Sequence, residues 1–362
     1  MGHLRLQGFS YHGRLCRGGF CPWHAVLRRT PAALSPAADE VVCLAGVQAS
    51  FAEASGRTLL KLAGRRVCES TVERATEAAG GRVEKAVAAG QVFGLAHDGA
   101  WHKDAEGKTV ASVSIDATGV GQQGPGGAAA EGRRAVGGRI DNPVPEDRTS
   151  WANPHGRRPA WQARYLAGLD GLDTFAVPLR KQGAQVGRDR AERWIALSDG
   201  GAGLEDFLRT NFPRVAAVIL DFYPVAEHLG DLAKAWHPQD EAAAEALRTQ
   251  WCQQLKHDGG QAVLETLRAL ALRGKSQAAR QRHREVVGYF ENQVHRMDYP
   301  SYQARGWQIG SGPVESACKT VVGQRLKGAG MRWGKDGADT VCHLRALFRS
   351  EPSQWDAFWN PN

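Results

Sequence analysis

The feature that most constrains this fold is a set of apolar runs that stop at an acid. "SVSID" reaches Asp116 and passes into Ala-Thr-Gly, and "WIALSD" reaches Asp199 and passes into Gly-Gly. "RVAAVILDF" holds a continuous apolar run up to Asp221, as expected of a strand covered on both faces. With "ARYLAGLDG" these make four strand candidates. Between them lie the Gly/Pro-rich loops "GPGGAAAEGRR" and "NPVPEDRTSWANPHGRRP" and a short amphipathic helix, "GLEDFLRTNF". Strands alternating with helices predict an α/β sheet with parallel members.

Adjacent strands lie about 4.8 Å apart. If the Asp116 and Asp199 strands are adjacent and parallel, the two carboxylates meet at their carboxyl ends, where α/β sheets bind ligands. Carboxylates that close repel one another unless a divalent cation lies between them. Taken singly, each Asp is better explained as a turn residue before Gly or another small residue; only as a pair do the two readings balance. "VSIDATGVGQQG" also reads as a dinucleotide loop, with Gly119, Gly121 and Gly124 and with Asp141 roughly 20 residues on. That loop must open a helix, and the Pro-Gly-Gly-Ala-Ala-Ala after Gly124 supplies no apolar face before Gly138.

A third acid stands in "IGSGPVESACKTVVGQRLKG". Ser311 or Gly312 caps a helix, Pro313 enters its first turn, and Val314, Ala317, Cys318, Val321 and Val322 form its apolar face. Glu315 then lies near the positive end of that helix, where it also suits a simple i,i+4 pair with Lys319. Oxygen-only ligands from two strands and a helix fit Mg²⁺ or Mn²⁺ better than zinc. Two such ions about 3.5–4 Å apart serve in-line phosphoryl transfer. The net charge of +8 fits a polyanionic partner or a basic surface kept for solubility, and Lys319, Arg325, Lys327, Arg332 and Lys335 follow Glu315 as candidate phosphate contacts or as a solvated face.

The flanks are helical. Ser35-Pro36 opens a helical stretch reaching Gly94, whose helix pair has the plan of a helix-turn-helix or of an ordinary helical hairpin. From Val225 to about Met297 apolar residues recur at helical spacing. Cys16 and Cys21, with His12 and His24 nearby, are the sole zinc candidates. Seven scattered cysteines argue against a disulfide framework. No run approaches a membrane span and the first residues lack a signal-like apolar region, so a cytoplasmic location is expected.

"VSIDATGVGQQ", "ERWIALSDGGAGLEDFLRTNFPRVAAVILDFYPVAEHLGDLAKAW", "YFENQVHRMDYPSY" and "GWQIGSGPVESACKTVVGQRLKGAGMRW" together resemble the ISKra4-type bacterial insertion-sequence transposases. The resemblance implies a DDE transposase with a ribonuclease-H-like α/β core, a mixed sheet flanked by helices, and a helical insertion before the last catalytic Glu. It implies Asp116, Asp199 and Glu315 as catalytic and metal ligands for Mg²⁺ or Mn²⁺, with Asp221 and His228 accessory. It also implies double-stranded DNA, transposon ends and target, as partner, a homodimer or larger assembly on DNA, no membrane, and a place in the bacterial cytoplasm at the nucleoid. In relatives a D-x-x-H motif begins at the position of Asp221; here Pro224 stands where the His is expected, and His228 follows. The expected layout is a zinc-ribbon-like remnant over 1–34, a helical DNA-binding region over 35–100, core over 108–237, insertion over 238–300 and core again over 301–362. The rival readings are a related metal-dependent nuclease and a non-enzymatic DNA-binding derivative.

Overall fold

The computed structural model describes residues 34–94, 96, 101–124, 126, 128–141, 163–169, 171–310, 317–351 and 353–360, with the pairs 11–12 and 19–20. Cys16, Cys21 and Glu315 lie outside the described residues. Of the first 33 residues, Tyr11–His12 and Gly19–Phe20 are seen as a short antiparallel pair.

Helix α1 (Pro36–Gln48) starts as the sequence predicts, with the Ser35 hydroxyl accepting from the Ala38 N–H and Pro36 in the first turn. A second helical stretch over Phe51–Ala63 stops at Gly64, whose φ of 64° is left-handed. Helix α2 (Glu69–Ala88) is 20 residues long; Val72, Ala75, Ala79, Val83 and Val87 form its buried stripe.

Five strands build the sheet: β1 (Thr109–Gln123), β2 (Ala129–Asp141), β3 (Ala163–Gly168), β4 (Arg193–Ser198) and β5 (Val215–Leu220), with His102–Lys103 added beside β1. Their order is β3-β2-β1-β4-β5. β1, β2 and β3 pair antiparallel, while β4 and β5 run parallel to β1. The result is a mixed sheet flanked by helices. β2 occupies much of the segment expected to be a Gly/Pro-rich loop. Its Ala- and Gly-rich sequence carries little strand preference of its own, and register with β1 supplies the order. Gly119 and Gly121 lie inside β1, and Asp141 is fully buried 3.2 Å from the Arg139 guanidinium, so this stretch is not a phosphate loop.

Helices cover both faces of the parallel strands. On one side Ala111, Val113, Ile115, Trp194, Ala196 and Val218 join α1, α2, α3 (Ala176–Gln185) and α4 (Leu204–Asn211) in a shared apolar cluster. On the other, Val110, Ile195, Leu197 and Ile219 meet α5 (Phe222–Trp236), α6 (Glu241–Arg268) and α7 (Gln277–Gln293). Each fully buried Val, Leu or Ile contributes about 1.5–3 kcal/mol, so the strand ends rest on a doubly packed base. A third cluster joins β2 and β3 to residues 317–326 and to α8 (Lys335–Arg349). Among the described residues no helix is long and apolar enough to cross a membrane.

Candidate active site

Strand register aligns three acids. Ile115 pairs with Ser198, and Ser198 pairs with Leu220. Asp116, Asp199 and Asp221 are each the next residue, on three adjacent parallel strands. Side chains alternate along a strand, so Asp116 continues the Val110–Ser112–Ser114 face and Asp199 the Ile195–Leu197 face. That face looks toward α5, α6 and α7. Asp116 is not a strand tip, because β1 runs on to Gln123; it marks where pairing with β4 stops.

Each acid is oriented by a backbone N–H. Cys318 donates to Asp116 Oδ1 at 3.2 Å, Gly201 to Asp199 Oδ1 at 2.9 Å and Tyr223 to Asp221 Oδ1 at 3.0 Å. The last contact makes Asp221 the N-cap of α5. Pro224 occupies the first turn of that helix, where a missing N–H leaves no intrahelical bond unmade. His228, one face further along α5, lies half-buried with its ring 4.3 Å from that of Tyr289 on α7.

The two flanks of residues 311–316 both touch these acids. A Cβ at Gly310 would stand 3.0 Å from the Tyr223 ring and 3.2 Å from Asp221 Oδ1. Cys318, at the other flank, holds Asp116. Burial, then the neighbouring Asp116 carboxylate, push the Cys318 thiol well up from its ordinary value, so it is no nucleophile.

Three residues that sequence reasoning missed frame the acid row. Arg296, 1% exposed, donates to Ser198 O at 3.2 Å and to Ser198 Oγ at 2.5 Å. Tyr299, fully buried, donates to Leu220 O at 3.0 Å. Among the described residues the buried Tyr289 hydroxyl has no hydrogen-bond partner, and burial followed by the Asp199 and Asp221 charges pushes it up to about 12. No local signal could reveal these contacts, although "YFENQVHRMDYPSY" contains all three residues.

Of the predicted phosphate contacts, Lys319, Lys327 and Arg332 are exposed, and the Lys327 ammonium donates to the Thr118 hydroxyl. Arg325 is different. It is 2% exposed, its Nε donates to Gly46 O at 2.9 Å, and its guanidinium lies 4.6 Å from the Phe51 ring and 4.9 Å from that of Trp333. It is spent inside the fold, which its place among the basic residues after Glu315 could not show. Arg345 works beside it, donating to the Val47, Thr320 and Val321 carbonyls.

Carboxylate oxygens of this kind are the donors that hard divalent cations take. Among the described residues no group of three or more His, Cys, Asp or Glu side chains converges closely enough to hold a metal ion. No protein-family model matches the chain, and no curated protein matches it.

Proposed function

We propose that this chain is a DNA transposase of the DDE type, built on a ribonuclease-H-like core, that cuts insertion-sequence ends and joins them to target DNA. The carrying observation is the shared register that aligns Asp116 and Asp199 where the pairing of their neighbouring parallel strands stops. The order β3-β2-β1-β4-β5, with the second acid ending the fourth strand and α6 and α7 following the fifth, accords with the family resemblance. In this reading Asp116, Asp199 and Glu315 hold divalent metal, with Asp221 and His228 accessory. Bound there, Mg²⁺ or Mn²⁺ supplies charge neutralisation at the attacking and leaving oxygens of a phosphodiester. The nucleophiles are water for cleavage and a DNA 3′-hydroxyl for joining, so no side chain need attack. Lys319, Lys327 and Arg332 are exposed and suited to phosphate oxygens.

The test is end joining by the purified chain in Mn²⁺, with DNA taken from both sides of its own coding sequence. Branched strand-transfer products are expected, and Asp116→Asn, Asp199→Asn or Glu315→Gln should each reduce them on the order of a hundredfold or more. Hydrolysis without branched products would make the chain a nuclease. Undiminished joining by Glu315→Gln would reject the assignment.

A further inference from the structure

We propose that Arg296 and Tyr299 are positioning residues for the acid row, a role that rests on the transposase reading. Both follow α7. Arg296 closes the 3₁₀ turn Val294–Arg296, and Tyr299 opens the short helix Tyr299–Ala304. From this one connection they reach the last residues of β4 and β5, Ser198 and Leu220, which are cross-strand partners. Each of those residues is followed directly by an acid. A peptide plane that turns at Ser198 swings Asp199, and one that turns at Leu220 swings Asp221.

The chemistry fits positioning better than packing. A guanidinium this deeply buried is costly to desolvate, and an apolar residue of similar volume would fill the space at less expense. Burial indeed holds Arg296 below its ordinary value, with Glu205 at 3.8 Å opposing that shift. Instead of pairing closely with an acid, the guanidinium is directed to Ser198 O and Oγ, and to Gln293 Oε1 at 2.9 Å. Ser198 O also accepts the Asp221 N–H at 3.0 Å. One carbonyl therefore ties the two acid-bearing strand ends to the same guanidinium. Tyr299 keeps its ring in the apolar cluster, 5.7 Å from that of Phe222, and its hydroxyl makes the hydrogen bond to the strand.

The experiment is Mn²⁺ binding to the full chain, read by electron paramagnetic resonance, beside thermal melting. Tyr299→Phe deletes one hydroxyl and keeps the ring, which avoids the folding failure that removal of Arg296 risks. Leu220 leads into Asp221, whose N–H is held by the Ser198 carbonyl that precedes Asp199, so the variant's Mn²⁺ dissociation constant should rise about tenfold, the scale of lost outer-shell support. The Mn²⁺ needed for half-maximal DNA cleavage should rise in parallel, with kcat at saturating Mn²⁺ within about threefold of wild type. Arg296→Lys, which keeps the charge but not the fork, should weaken Mn²⁺ while Arg296→Met weakens it further or fails to fold. Mn²⁺ affinity for Tyr299→Phe within about twofold of wild type, or loss explained by its unfolded fraction, overturns the proposal. Asp199→Asn is the control: if it binds Mn²⁺ as wild type does, the acid-site reading itself falls and the proposal with it.

Discussion

Gly137 and Gly138 are neighbours on β2 whose replacement by Ala should have different outcomes. Gly137 is the register partner of Asp116. A Cβ there would stand 2.9 Å from both the Ala317 Cβ and the Cys318 backbone nitrogen, and 3.1 Å from the Ala317 carbonyl carbon. Ordinary contact begins near 3.4 Å, so the 317–318 backbone must retreat by about 0.5 Å or more. The Cys318 N–H reaches Asp116 Oδ1 at 3.2 Å. The same retreat stretches that bond past the roughly 3.5 Å at which it stops being one. Overpacking of this kind costs about 1–3 kcal/mol, and loss of the bond adds about 1 kcal/mol. At Gly138 the nearest atom is the Leu179 Cδ2 at 3.0 Å, the tip of a flexible side chain, so Gly138→Ala should cost less than about 1 kcal/mol. Urea unfolding gives the two energies, and hydrogen exchange at the Cys318 amide reports the bond. Equal stabilities for the two variants, or a Cys318 amide as protected in Gly137→Ala as in wild type, would refute the reasoning.

Two further outcomes follow from the N-terminal helices. The exposed thiol of Cys68, the residue just before α2, is lowered to about 7, first by its hydrogen bond with the Thr71 hydroxyl and then by that with Ser70. Iodoacetamide should therefore modify Cys68 with a half-maximal rate near pH 7 and well ahead of buried Cys43, Cys318 and Cys342, as read by peptide mass mapping. Asp39, 1% exposed, is pushed up to about 6 by burial, with Arg82 at 3.8 Å opposing. A carboxyl raised in the folded state contributes stability that is full below its ordinary value and lost as pH rises through about 6. Asp39→Asn should accordingly flatten the stability difference between pH 4 and pH 8 by up to about 3 kcal/mol, measured as unfolding midpoints in urea. An unchanged pH profile would contradict this origin for the shift.

The parts of the fold that the sequence made legible are those with a strong local period. β1, β4 and β5 were visible as apolar runs ending in acids, and α5 to α7 as stripes such as Val225–Leu229–Leu232. The same local rules hid β2, because Ala, Gly and Arg at its positions take extended form through pairing with β1 and β3. The alignment of Asp116 with Asp199 was inferable once adjacency was assumed. That Asp221 shares the row depended on the register of Ser198 with Leu220, which no spacing along the chain encodes. Arg296, Tyr299 and Arg325 act on backbone atoms 98, 79 and 279 positions away. Such contacts become visible only when distant segments are packed.

Arg325 and Arg345 have an implication for engineering. Gly46 and Val47 stand in the last turn of α1, where helix carbonyls lack partners of their own. Two guanidiniums from the far end of the polypeptide finish that turn, one of them with its Phe51 and Trp333 neighbours. The leading helices therefore do not behave as an interchangeable cassette. A chimera that borrows residues 35–63 from another protein must set the carbonyls of its last turn in the same place, or Arg325 loses its Gly46 acceptor and its Phe51 neighbour while Arg345 loses Val47 and keeps its Thr320 and Val321 acceptors.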